Sequence, residues 1–377
     1  MSEHIVELKN QVRKFCRDHI DPVMEHDDAE SKFRMEIFQG LGNLGLCGIP
    51  LPEKYGGADL SYAEYVAILE EIAGSSVAYA VTLSVSVMVQ SILNEHGTAE
   101  QKEKYLPALT SGQEIGAFAL SESHAGSDAS ALKTTAKKTD GGYILNGSKM
   151  WITSGGIAKT YIVMARTGTE DSKGISAFIV RDGSTGFSYG KAEKKMGWKI
   201  SPTRELIFQN CFVPEENLLG AVGKGLSVAM SGLDRGRISI GAIGVGLAER
   251  ALSVAIKYAI ERVQFKQPIF EFQGLQFMLA DMGVEVEASR FLVREAARLY
   301  DDKKPSIKLS SMAKIKATDT AMKVTTDAVQ VLGGVGYTTE YPVERMMRDA
   351  KVLQIVEGTN QIQKIVIARE YKKEFQA

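Results

Sequence analysis

The run Ile115-Gly116-Ala117-Phe118-Ala119-Leu120 is where the chain changes its period. Upstream of it, apolar residues recur at helical spacing: Ile5, Leu8, Val12, Phe15, Cys16 and Ile20 form one series, and residues 62–72 and 100–109 continue the theme. Downstream, as far as about Phe212, come short apolar or alternating runs at 115–120, 142–147, 160–166, 174–180 and 204–209. Turn signals at 139–142, 146–147 and 181–186 punctuate them, the rhythm of an antiparallel β domain. After Gly223 the helical period returns, over roughly 223–260, 272–300, 306–332 and 360–373. Helices, then strands, then helices in separate blocks predict an α+β fold with an N-terminal helical domain (1–114), a middle antiparallel β domain (115–222) and a C-terminal helical bundle (223–377).

The bulk numbers agree with an ordinary globular chain of 377 residues, 44% hydrophobic and 24% charged, large enough for several domains with a substantial core. Lysine plus arginine (45) nearly cancels aspartate plus glutamate (46), so no global field draws the chain to nucleic acid or an anionic membrane. Three distant cysteines, Cys16, Cys47 and Cys211, have no metal-ligand spacing and fit reduced thiols in a cytoplasmic protein, so no metal site is expected. The amino terminus carries acids and no apolar core segment, which predicts neither a signal nor a transit peptide. Residues 72–94 hold no formal charge and are long enough to span a bilayer, but serines, threonine, glutamine and asparagine dilute them; a buried helix, able to wall an apolar ligand site, is expected instead of membrane insertion.

Three glycine clusters, at 220–225, 241–246 and 333–336, invite a nucleotide-binding reading. None follows a strand in a βαβ unit, and Lys224 is followed by glycine, so the second cluster reads as close helix packing and the third as a helix terminus. Other segments speak to chemistry. Gly126-Ser127-Asp128 is either a turn or a small-residue loop that lets backbone N–H groups approach a phosphate or flat ring. Trp151 and Thr153 share a face if that segment is extended. Near the carboxy terminus, Glu357 interrupts the apolar run Leu353 to Val356 immediately before Gly358, where a carboxylate loses hydration and costs stability unless something requires it.

In order along the chain, 117–128 (AFALSESHAGSD), 146–153 (NGSKMWIT), 262–269 (RVQFKQPI), 330–337 (QVLGGVGY) and 357–363 (EGTNQIQ) resemble the motif series of the acyl-CoA dehydrogenase family. The resemblance extends to 280–290 and 341–351, and so spans essentially the whole chain. It implies an FAD held between the β domain and the C-terminal helices. Phe118, Leu120, Ser121, Trp151 and Thr153 match positions around the flavin ring, and Ser127 matches a serine near both cofactor and thioester ligand. Arg262, Gln264, Phe265 and Gln273 match positions that hold the adenosine and pyrophosphate, together with Gln330, Gly333 and Gly334 from a neighbouring subunit; Thr359 and Gln361 match a helix start near the cofactor. Arginine, close-approach glycines and a helix N-terminus are suited to a pyrophosphate.

The same resemblance makes Glu357 the base that removes the α-proton of an acyl-CoA, with Gly358 allowing close approach of the substrate. The alternative family position for the base corresponds here to Gly236, which has no carboxylate. Asp234 and Arg237 match residues touching the coenzyme A part; read without the family, they are a helix-surface charge pair. The uncharged segment with Val81, Leu83, Val85, Ser86 and Val89 resembles the acyl-pocket wall and disfavours a dicarboxylic acyl group. Departures from the family pattern are Ser123 and His124 in the loop, Lys266 in place of glycine, Ser121 in place of threonine, and Val356 in place of tyrosine, which leaves room for a branched or bulkier acyl chain. The implied function is dehydrogenation of a short or branched-short acyl-CoA to the trans-2-enoyl-CoA, with electrons passed to an electron-transfer flavoprotein by a homotetramer built as a dimer of dimers. Enoyl-CoA reduction, a flavin oxidase on the same scaffold, and a non-catalytic flavin or nucleic-acid-binding relative are the alternatives.

Overall fold

The computed structural model of the chain describes residues 3–168 and 171–376. Helices α1 (Glu3–Phe15), α2 (Met24–Glu30), α3 (Met35–Asn43), α4 (Tyr62–Ser75), α5 (Val77–His96) and α6 (Ala99–Thr110) build the first third. The α1 series ends in a π-helical turn, Cys16–Ile20, which keeps Cys16 and Ile20 in the core. The uncharged stretch predicted as one helix is divided: Ser76, extended at φ −150°, ends α4 and caps α5 by accepting from the Tyr79 N–H. Reciprocal caps between Ser61 and Glu64 and between Thr98 and Gln101 start α4 and α6.

Strands β1 (Gly116–Ala119), β2 (Thr135–Thr139), β3 (Gly142–Thr153), β4 (Thr160–Arg166), β5 (Ile175–Arg181), β6 (Phe187–Ala192), β7 (Thr203–Pro214) and β8 (Leu218–Leu219) form one sheet ordered β6-β7-β3-β2-β4-β5-β8, with β1 on β4. The sheet is mixed, where the sequence predicted it antiparallel throughout: β1 runs parallel to β4 over four residue pairs, and Thr135 of β2 pairs in parallel with Arg166. The 139–142 signal is a hairpin turn, but Asn146-Gly147 lies inside β3 at a register shift. There Gly147 takes φ +139° and packs against Thr134, too close for any side chain.

Helices α7 (Gly225–Glu261), α8 (Gln273–Asp301), α9 (Ile307–Leu332), α10 (Val343–Leu353) and α11 (Asn360–Gln376) complete the chain, with a two-stranded ribbon β9 (Val263–Gln264) and β10 (Gln267–Pro268) after α7. The 241–246 glycines do serve close packing: Gly241 lies against Val293 and Ala313, Gly244 against the Ala317 carbonyl, and Gly246 against the Glu70 carbonyl. Gly333 ends α9 at φ +66°. Two helices, α5 and α7, are long and apolar enough to cross a membrane, and 89% and 78% of their apolar windows are buried within the fold.

Helix α10 joins the blocks. Arg348 donates to Glu344 on its own helix, to the Met196 carbonyl (3.0 Å) before β7 and to Asp28 (2.8 Å) of α2. At the next residue, the carboxylate of Asp349 accepts from the Trp198 backbone N–H (2.6 Å), and its carbonyl accepts from the indole Nε1 (3.0 Å). Burial pushes the Asp349 carboxyl up to about 6 against the pull of that backbone bond.

Candidate active site

The carboxylate singled out in the sequence sits in the connection between α10 and α11. Glu357 and Gly358 both take left-handed backbone conformations, at φ +54° and +82°. For a glutamate this is strained, costing about 1–2 kcal/mol, so the surroundings must hold it. Gln363, itself fully buried, donates to the carbonyls of Glu357 (3.0 Å) and Gly358 (3.1 Å). Lys314 of α9, also fully buried, donates to the Gly358 carbonyl (3.1 Å) and to Asn360 Oδ1 (2.7 Å). Asn360 in turn donates to Thr318 and Asp319. Thr359 caps α11 by accepting from the Ile362 N–H.

The side chain of Glu357 crosses to α7 and lies on the bare Cα of Gly236. A β-carbon there would come within 2.6 Å of Glu357 Oε2. This oxygen is buried and has no hydrogen-bond partner among the described residues. Burial pushes the carboxyl up to about 7, while Arg237 and Lys314 pull it down. Burial likewise draws the Lys314 ammonium down to about 8, opposed by Glu357 and Asp319. Arg237 is no surface charge: it is buried, it donates to Asp234 (2.6 Å), and its Nε has no partner among the described residues. A carboxyl near neutrality on a half-buried residue, with one oxygen buried and orphaned, is suited to taking and releasing a proton.

On the same face of α7, one turn before Gly236, Gly232 lies against Met88 and Ile92 of α5. Thus α5 packs on α7 one turn from the seat of the carboxylate, through residues the sequence did not single out. Ser86 and Val89, in the segment that resembles the acyl-pocket wall, meet β1: Ser86 accepts from the Gly116 N–H and Val89 packs on Gly116. Val81, Leu83 and Val85 are buried in the same helix.

A second group gathers at the end of β1 and in β3. Phe118 and Leu120 are partly and largely buried, and the Ser121 carbonyl accepts from the Met150 N–H (2.9 Å), which sets Ser121 beside Trp151. The segment around Trp151 and Thr153 is not regularly extended. A bulge between Lys149 and Ile152 puts Trp151 at φ +64° and leaves it 59% exposed. Beneath them Lys149, fully buried, donates to the Leu120 carbonyl (3.1 Å) and to Glu122 (2.7 Å). Glu122 also accepts from the N–H groups of Lys133 and Thr134. Burial alone would raise the Glu122 carboxyl, but Lys149 and these bonds hold it below the usual carboxylate range. A tight turn, Glu122 to Ala125, follows, with Ser123 and His124 at its tip; Ser127 is exposed just beyond.

The remaining predicted residues form two exposed groups, with Gln361 apart from both, and among the described residues no direct hydrogen bond joins them to either cluster. Arg262 and Gln264 lie at the β9–β10 ribbon, whose turn residues Phe265 and Lys266 both take positive φ; Phe265 is 87% exposed, and Gln273 opens α8. A lysine at φ +67° does what the expected glycine would do, at a steric cost. Gln330, Gly333 and Gly334 are exposed at the end of α9, the glycines with open space where a side chain would be. Gln361 is exposed in the first turn of α11. An exposed indole and phenyl, an exposed guanidinium and open backbone fit the ring and pyrophosphate of a dinucleotide such as FAD. Among the described residues no cluster of three His, Cys, Asp or Glu side chains is placed to hold a metal.

Family models describe residues 2–113, 117–211 and 223–372 as the N-terminal, middle and C-terminal domains of acyl-CoA dehydrogenases. The chain belongs to the acyl-CoA dehydrogenase family. These enzymes are flavoprotein oxidoreductases. It is 48% identical over 372 residues to an acyl-CoA dehydrogenase of Bacillus subtilis, covering 98% of both chains. It is 46% identical to the acryloyl-CoA reductase (NADH) of Anaerotignum propionicum, covering 97% of this chain and 94% of the other. Butyryl-CoA dehydrogenase from Megasphaera elsdenii has the same fold at a TM-score of 0.97 and 43% identity, covering 98% of each chain.

Proposed function

We propose that the chain dehydrogenates a short or branched-short acyl-CoA to the trans-2-enoyl-CoA, with Glu357 as the base for the α-proton. One observation carries the reading: the carboxylate of the half-buried Glu357, with Oε2 buried and orphaned and seated on Gly236. Arg237 and Lys314 favour its ionised form, so it accepts a proton near neutral pH, and the thioester carbonyl is polarised by the Glu357 backbone N–H. FAD, when bound, supplies the acceptor for hydride leaving the β-carbon. Phe118, Leu120, Ser121, Trp151 and Thr153 would hold its ring. Arg262, Gln264, Phe265 and Gln273, with the partner-facing Gln330, Gly333 and Gly334, would hold the adenosine and pyrophosphate, and Thr359 and Gln361 the helix-start contacts. Ser127, Asp234, Arg237 and Gly358 would face the acyl-CoA.

The apolar border of the site and Val356, packed against the core, favour a short acyl chain with room for a branch. Reduction of an enoyl-CoA uses the same groups in reverse, and the similarity to an acryloyl-CoA reductase supports that second direction. An electron-transfer flavoprotein would carry the electrons. Assembly into a homotetramer is supported by Phe277, Val284 and Phe291, which recur every seven residues along α8 and are 65–69% exposed. The three cysteines, buried and unpaired, fit a cytoplasmic protein.

Anaerobic bleaching of the flavin by propionyl-, butyryl-, isobutyryl- and 2-methylbutyryl-CoA tests the reading. Rapid bleaching is expected with at least one of them, rising with pH through about 7 as Glu357 loses its proton. Glu357→Gln is expected to keep FAD and slow bleaching by about 10³-fold. A near-parental rate in that variant would overturn the assignment, and exclusive reaction of straight chains would remove the branched-chain part.

A further inference from the structure

We propose that Lys314 is a positioning residue for Glu357: by holding the Gly358 carbonyl and the Asn360 amide, it fixes the left-handed Glu357–Gly358 segment and sets a positive charge behind the carboxylate. The inference rests on the reading of Glu357 as the base.

A lysine with no exposed surface in the middle of a helix is costly and demands a reason. Its two hydrogen bonds, to the Gly358 carbonyl and Asn360 Oδ1, end on neutral oxygens, and a neutral donor could make them equally well. The charge is therefore left without a direct carboxylate partner, and it acts on Glu357 and Asp319. Asp319 already accepts from Asn360 (2.8 Å) and Gln354 (2.6 Å). Glu357, whose Oε2 has no partner, is where the charge counts. The charged groups around Glu357 are Arg237 of α7, which Asp234 partly neutralises, and Lys314 with Asp319 of α9; α11 contributes the neutral amides of Asn360 and Gln363. With Arg237 tied to Asp234, Lys314 is the cation on this site not spent on a bonded carboxylate.

The sign of the effect is fixed. A positive charge favours ionised Glu357, so its removal raises the pH at which the base becomes available. Loss of the bond to Gly358 also loosens the strained segment, which lowers turnover more than substrate binding.

The test measures the pH dependence of flavin bleaching by butyryl-CoA in FAD-loaded parent enzyme, Lys314→Met, Lys314→Gln and Glu357→Gln. A second readout is the infrared carbonyl band of the protonated Glu357 side chain, taken as parent minus Glu357→Gln across pH. Lys314→Met is expected to move both titrations alkaline by about one pH unit and to lower kcat at least 10-fold with KM changed much less. Lys314→Gln, which removes the charge and keeps a neutral donor, is expected to give the same alkaline shift and covers the case in which Lys314→Met does not fold. Unshifted titrations in a folded variant, with Glu357→Gln inactive, would overturn the role of Lys314 and leave the base in place. An active Glu357→Gln would overturn both.

Discussion

Gly236 and Glu357 compete for one small volume. The carboxylate lies where any larger residue at 236 would put its first carbon, at 2.6 Å from Oε2. Gly236→Ala is therefore expected to displace the carboxylate rather than the helix, because α7 is buried along this turn. A displacement near 1 Å costs about 100-fold in rate. The measurement is the bleaching rate beside the FAD content, with a full complement of FAD and a parental rate as the contrary result. Glu357 and Gly358 were legible as a motif, and the desolvation cost of a carboxylate in an apolar run pointed to them without it. Lys314, Asn360 and Gln363 were not legible. A lysine flanked by other lysines, threonines and an aspartate in α9 reads as a solvent-facing residue, and only the packing of neighbouring helices against α9 buries it.

At the scale of the element, β3 shows how a buried ion pair shapes a surface. Lys149 and Glu122 are both at most 5% exposed, and they tie the β1 exit to the bulge that turns Trp151 outward. Burial draws the Lys149 ammonium down to about 8, against the pull of Glu122. Replacing Lys149 by Met strands a buried carboxylate, and a loss of about 3–5 kcal/mol is expected in urea unfolding, with weakened FAD retention. Adding Glu122→Gln should recover part of it; a single variant as stable as the parent would refute the coupling. The sequence period located the long helices within a few residues, since their core faces are continuous. It missed β2, where only Ala136 is buried, and β6, which has no fully buried residue. It also missed α10, although Val343, Met346, Ala350 and Leu353 recur at helical spacing, because eleven residues carry too short a pattern. The bulge at Trp151 and the parallel seat of β1 on β4 have no local sequence signal: both arise from pairing between distant segments.

For the whole molecule, the largest feature still open is the outer stripe of α8. Phe277, Val284 and Phe291 leave apolar area in water at a heptad spacing, which a second copy of the chain would cover. Val284→Glu is expected to lower the assembly state in analytical ultracentrifugation while leaving the fold intact, since the side chain is 67% exposed. An unchanged sedimentation coefficient would place the subunit contact elsewhere. The three blocks of the chain meet at Arg348, which bonds to α2, to the loop before β7 and to its own helix, beside the Trp198–Asp349 pair.

The bond pair between Trp198 and Asp349 reaches further than its place at the domain junction. Asp349 stands eight residues before Glu357, on a helix that runs almost to the strained segment. The β domain and the carboxylate are thus anchored to one short rod. In hydrogen exchange they should behave as a single cooperative unit: the amide of Trp198 and those of the Glu357 connection should lose protection together, at one opening free energy. A partner docking on the β domain would then be sensed at the carboxylate by a change in how often that unit opens, without any contact between the two.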